Sequence, residues 1–355
     1  MVLKKILGLC CFPGPQKTNN DNEFELDVTE TAALTTVHCG EKPIIDIVAV
    51  HGLNGHAVKS FTAERTRCFW LGDGNMLPRD LRSSRIMTFS YPASVAALFD
   101  STSSDTFLQH ATTLAQELAA DRSINGATRR PLIFICHSLG GIIAKRALIY
   151  AESRKGKKME HVHALYVSTY AMLFFGTPHN GSSRANLASY AQRMVSSLMP
   201  SKVIDTDSQL LNALKDGSEI LQEITDNFQP KMKRFSVFFF WEQLKTDLGA
   251  KYDYVSRLPS YPLSSNQIRA KELTTQIVTE TSAAPILDDT ERAGIRAEHR
   301  HMCKFASRNS PGYPLVAATL IRYSEAAPDV ISRRWTEATE SIRIMRRGEV
   351  DELVS

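Results

Sequence analysis

The stretch PLIFICHSLGGIIAKRA, residues 131–147, constrains the fold more than any other part of the chain. Leu132 to Cys136 form an unbroken apolar or small run of strand length. Such a run lacks the alternation of a half-solvated strand and reads as one buried on both faces. Ser138 and Leu139 follow, then two glycines, and from Ile142 onward the residues favour a helix. A doubly buried strand passing directly into a helix is half of a β-α-β unit, so it calls for a parallel sheet covered by crossover helices.

The rest of the chain repeats this alternation. IIDIVAVHG (44–52) and RIMTFSYP (85–92) predict strands, the second stopped by Pro92. A helix capped by Ser104 or Asp105 would place Phe107, Leu108, Ala111, Leu114, Ala115 and Leu118 on one face. GGIIAKRALIYAES predicts the helix after the central strand, and YAMLFFGTP, RFSVFFFWE and TTQIVTETSA predict three more strands. Residues 181–232 read mainly as two amphipathic helices, an insertion expected to overhang the strand ends as a lid. Residues 1–23 read as a tail ending in a Pro, Gly, Asn and Asp rich linker, 24–328 as one α/β domain, and 329–355 as a helical tail.

Composition narrows the possibilities further. With 355 residues, 43% hydrophobic and 23% charged, the chain can bury one large core. The net charge of +4 has no clustered footprint beyond SRKGKK at 153–158, so a nucleic-acid partner is not expected. The six cysteines form no CxxC pair, which fits a reducing, cytoplasmic compartment better than a disulfide framework. No apolar run is long enough for a membrane-spanning helix. MVLKKILGLCCFPGPQ lacks the features of a secretory signal, but Cys10 and Cys11 beside apolar and basic residues are placed for double acylation and contact with a membrane surface. The plainer reading is a frayed tail.

The turn at Ser138 is where chemistry enters. A nucleophile elbow holds a serine on a strained turn between a buried strand and a helix, with small residues two before and two after it. Cys136 and Gly140 occupy those positions, with Gly141 adding space, so G-x-S-x-G is altered at its first place. The Leu139 N–H would point at the reacting oxygen, and Leu53, in the loop after an earlier strand, would supply the second donor of an oxyanion hole. His51 is expected to order that loop. The plainer role for Ser138 is capping its helix. In the chain order Ser, acid, His, Glu242 or Asp253 could supply the acid and His299 or His301 the base. The two histidines alternate with Cys303, but no carboxylate or CxxC is spaced to complete a metal site.

Together, VHGLNGH, CHSLGGIIAKRAL, FFGTPHNGS, FFFWE and EHRHMCKF resemble the serine active site-containing protein family, spread over residues 44–305. These are α/β-hydrolase, lipase-like proteins related to GPI inositol-deacylases. The resemblance implies a mostly parallel central sheet with helices on both faces and a helical lid. Its DHxxxCK segment matches Glu298, His299, Cys303 and Lys304, which selects His299. Its acid matches Glu242, and its TPHxGS loop, matching Thr177 to Ser182, would shape the pocket rim. Family members are linked to phospholipid handling at mitochondrial and endoplasmic reticulum membranes. Similar modules open fungal NOD-like receptors, but no P-loop GxxxxGK[ST] occurs here. The expectation is a serine hydrolase of acyl esters, lipids foremost, using Ser138, His299 and Glu242 with the Leu53 and Leu139 amides and no cofactor. The alternative is a hydrolase-fold interaction module without catalysis.

Overall fold

The computed structural model describes residues 33–94, 103–179, 190, 193, 208–247 and 274–354. Seven strands form the main sheet: β1 (Leu34–Cys39), β2 (Ile45–Val50), β3 (Ser84–Phe89), β4 (Leu132–His137), β5 (Thr169–Phe175), β6 (Ser236–Glu242) and β7 (Thr290–Ile295). Their spatial order is β1-β3-β2-β4-β5-β6-β7. Every neighbouring pair is parallel except β1 with β3, so a single antiparallel strand closes one edge. The chain runs from β2 outward to β3 and back across β2 to β4, which puts the turn after β4 near the middle of the sheet. This order, the antiparallel edge and the strand-turn-helix at Ser138 together define the α/β-hydrolase fold.

Among the described residues, five longer helices accompany it: α1 (Ser103–Ile124), α2 (Gly140–Ser153), α3 (Glu160–Ser168), α4 (Ser208–Met232) and α5 (Tyr313–Val354). The period of two along each strand divides the interior into two cores. Val48, Val50, Phe134, Phe174 and Phe239 face α1 to α4. Ile47, Ile133, Leu173, Phe238 and Phe240 face α5, Trp70 and Phe305. Within α5 the buried side chains Tyr313, Val316, Ala317, Leu320, Ala327 and Ile331 recur at helical spacing, giving the stripe that lies on the sheet. Trp70 donates from Nε1 to the Cys303 carbonyl at 2.8 Å, tying an early loop to a late one.

Several sequence expectations need correction. TTQIVTETSA is not a full strand: Thr274–Thr275 makes only a two-residue bridge, and Glu280–Ala283 is a one-turn helix. Ile277 and Val278 are buried as a strand would bury them, yet their amides serve a side chain rather than a neighbouring strand. The last strand is instead β7, TERAGI, whose two charges and glycine hide its pairing with β6. The edge strand β1 was not anticipated. The domain boundary at 328 falls inside α5, which begins at Tyr313. Of the span read as a lid, α4 lies against α1 and α2 within the helical layer; most of the remainder lies outside the described residues, as do Cys10, Cys11 and Asp253.

Two buried charged groups stand out. At the start of β2, fully buried Asp46 accepts from Arg85 (3.0 Å), Arg122 (2.5 Å) and Arg130 (2.8 Å). Burial lowers the Arg122 guanidinium to about 10, with Asp46 opposing that shift. On α2, Lys145 is fully buried, its Nζ 5.6 Å from the centre of the Phe174 ring and without a hydrogen-bond partner among the described residues. Desolvation lowers it to about 7.

Candidate active site

The turn after β4 has the strain an elbow requires. Ser138 sits at φ 54°, in the left-handed region that a residue with a Cβ rarely visits. Its N–H donates to the Phe175 carbonyl at 2.8 Å, and its carbonyl accepts from Thr177 Oγ1 at 2.8 Å, so the surroundings hold the strained conformation. A Cβ on Gly140 would lie 2.3 Å from the His51 carbonyl oxygen, so helix α2 can start this close to β2 only with glycine there. Cys136 fits fully buried at the altered first position, and burial pushes its thiol up, away from the reactive thiolate. The helix-cap role fails on geometry. No side chain caps α2, and Ser138 Oγ instead lies 2.9 Å from the hydroxyl of Tyr190.

Glu242 ends β6, and its carboxylate is completely buried. One oxygen accepts from the amides of Ile277 and Val278; the other meets His299 Nδ1 at 2.7 Å. Four groups therefore converge: a strand end, two loop amides and the histidine. A carboxylate held in this way fixes the imidazole orientation and leaves Nε2 as its working nitrogen. His299 is itself buried, and its Nε2 has no hydrogen-bond partner among the described residues. His301 is not equivalent: it is exposed and its Nδ1 lies 2.6 Å from Glu298.

The histidine is positioned from below by Gly176, at φ 59°, where a Cβ would come 2.8 Å from His299 Cε1. His137, next to the serine, donates from Nε2 to the His299 carbonyl at 2.9 Å, and the two rings lie 5.1 Å apart. Burial first, then the neighbouring His299, lower His137 to about 3, so it stays neutral. His51 plays the structural part expected of it. Its Nδ1 donates to the Gly52 carbonyl at 3.0 Å and its ring stacks on Tyr91 at 4.4 Å. Burial lowers it to about 4. Leu53 and Leu139, whose amides are the expected oxyanion donors, are both buried, Leu139 directly after the serine. Of the pocket-rim loop, Thr177 to His179 are described; His179 is buried with both ring nitrogens unpartnered among the described residues.

Ser138, Glu242 and His299 thus come to the same end of the sheet, although Ser138 and His299 are not hydrogen-bonded in this arrangement. Tyr190, the Ile277 and Val278 amides, Gly176 and His137 were missed from the sequence. Only His137 carried a signal, through its place beside the serine.

Comparison with known proteins adds a relationship. Over 244 residues the chain is 25% identical to protein SERAC1 of Bos taurus, covering 64% of this chain and 34% of that protein. Human protein SERAC1 is 30% identical over 139 residues, 38% of this chain and 19% of that protein. The chain is a distant homologue of SERAC1. It spans about a third of the length of the bovine relative. No family model matches. Among solved structures, the Bacillus licheniformis lipase BlEst2 aligns with a TM-score of 0.48 at 18% identity, covering 81% of this chain and 97% of that one. MenH from S. aureus aligns at 0.40 and 10% identity, covering 84% and 99%. Among the described residues, no helix is long and apolar enough to cross a membrane.

Proposed function

We propose that this chain is a serine ester hydrolase that cleaves acyl esters, lipids foremost, through an acyl-enzyme on Ser138. The observation that carries the reading is the buried 2.7 Å pair of His299 Nδ1 and Glu242, with Nε2 left open at the sheet end that also bears the strained serine. In the first half-reaction Ser138 Oγ attacks the ester carbonyl carbon while His299 Nε2 takes its proton. The carbonyl oxygen becomes an oxyanion, held by the Leu53 and Leu139 amides. Its collapse expels the alcohol, which takes the proton back from His299. Water then repeats the sequence on the acyl-enzyme and releases the acid. None of these steps calls for a cofactor.

A fluorophosphonate probe tests the reading. Wild-type protein should label at Ser138 and Ser138→Ala should not, with unchanged circular dichroism; labelling that survives the substitution removes Ser138 from the mechanism. Absence of labelling at Ser138 under all conditions would favour a non-catalytic module. We place the substrate at a membrane surface through Cys10 and Cys11. Cys10→Ser with Cys11→Ser should then move the protein to the soluble fraction, and unchanged fractionation would refute the anchor.

A further inference from the structure

His137 is the last residue of β4 and pairs with Phe175, the last of β5, so its backbone belongs to the rigid end of the sheet. Its buried ring reaches a residue 162 positions away, with Nε2 2.9 Å from the His299 carbonyl oxygen. A carbonyl can only accept, so the proton of the neutral ring is on Nε2. Burial, then the neighbouring His299, lowers the ring to about 3, so from pH 5 to 9 the donor keeps its one proton. It therefore brings no like charge to the imidazolium that forms on His299 in each proton transfer.

His299 is gripped at two points. Glu242 meets its Nδ1 at 2.7 Å, which orients the ring but leaves it free to pivot about that contact and to shift with its loop. The bond from His137 holds the His299 backbone instead. Farther along the same loop, Trp70 donates to the Cys303 carbonyl at 2.8 Å and Lys304 to Glu64 at 2.6 Å. Of these four anchors His137 alone is joined by a peptide bond to the nucleophile, whose Cα lies about 3.8 Å from its own. The distance from nucleophile to base is thus set across one peptide unit and one imidazole.

We infer that His137 is a positioning residue for the ester hydrolysis proposed above: its Nε2–H clamps the His299 backbone and so keeps His299 Nε2 within reach of Ser138 Oγ. It touches no substrate and acts through the base. Losing the clamp should cost rate rather than binding, because a proton transfer depends steeply on the placement of its two heavy atoms.

The experiment measures p-nitrophenyl butyrate kinetics, fluorophosphonate labelling and circular dichroism on wild type, His137→Phe, His137→Asn and His137→Gln. Phe removes the donor, Asn is too short to bring its amide to the His299 carbonyl, and Gln carries an N–H to about the place of the imidazole Nε2. His137→Phe and His137→Asn should lower kcat by about ten- to a hundredfold with KM changed less than about threefold, and His137→Gln should stay within about threefold of wild type. The same His137→Phe change made in His299→Ala should alter the residual rate less than about twofold, since a residue that acts through the base has nothing left to act on. Folded His137→Phe or His137→Asn with wild-type kcat overturns the inference. So does a folded His137→Gln as slow as Phe, and so does a loss that persists undiminished in His299→Ala, which would place the effect on the serine or the fold. If His137→Phe does not fold, His137→Asn decides by the same outcomes. Wild type that neither labels at Ser138 nor turns over ester overturns the hydrolase reading and this role with it, whereas labelled wild type with any of the contrary variant results overturns the positioning role alone.

Discussion

Replacing Lys145 by Met should make the protein markedly more stable at neutral pH. The ammonium is fully buried among Cys136, Phe174 and their apolar neighbours, and desolvation lowers its pKa from 10.5 to about 7. In the unfolded chain the lysine keeps its ordinary value, so between these two pH values the unfolded state holds a proton that the folded state has released. Stability therefore rises with pH across that interval and is depressed at pH 7 relative to pH 10.5. At about 1.4 kcal/mol per pKa unit, the depression at pH 7 comes to about 4 kcal/mol. Met keeps the length and apolar stem of the side chain, so little packing should be lost. Urea unfolding at pH 7 and at pH 10 on both proteins measures the effect. Wild type should gain stability from its lysine between the two pH values; Lys145→Met should lack that component and be more stable by about 2–4 kcal/mol at pH 7. A destabilised Lys145→Met with the pH profile of wild type would refute the reasoning and mean that Nζ is bound by an acceptor.

His299→Ala should slow the chemical step at least about a thousandfold, and His301→Ala less than tenfold, as burst and steady-state kinetics on an activated ester would register. Acid should destabilise the fold. His51 and His137 are lowered to about 4 and about 3 and His179 well below its ordinary value, so below pH 6.5 the unfolded chain takes up protons that the folded one refuses. Denaturant midpoints should fall steadily from pH 7 to 5, by up to about 2 kcal/mol per histidine. Asp46→Asn removes the one carboxylate facing three arginines and should cost about 3–5 kcal/mol, measured by chemical denaturation at pH 7.

Much of this architecture is legible in the sequence because parallel strands buried on both faces leave a plain record. The runs around Val48, Phe134, Leu173 and Phe239 were found as strands for that reason. The serine turn was found because only small residues at 136, 140 and 141 let strand and helix pass so closely. β7 escaped because an edge strand carrying Glu291 and Arg292 looks like a loop. TTQIVTETSA misled for the opposite reason: Ile277 and Val278 are apolar and buried, but their amides are committed to Glu242, a contact no local pattern encodes. Tyr190 was invisible on the same grounds, since nothing in ASYAQRM says which oxygen its hydroxyl will meet.

The bond from Trp70 to the carbonyl of Cys303 joins residues separated by 233 positions. Around it, Phe305 and Tyr313 set their rings edge-on to the indole at 5.2 and 6.1 Å. This knot closes immediately beyond His299, so the histidine loop cannot settle until nearly the whole chain has been made and collapsed. Contacts of such long sequence separation form late, after the local β-α units. In a refolding time course, helical circular dichroism and burial of β2 to β5 should therefore return first. Reactivity at Ser138 should return last, with the quenching of Trp70. A nascent chain would carry Ser138 without His299 at the same sheet end until the final strand and α5 docked.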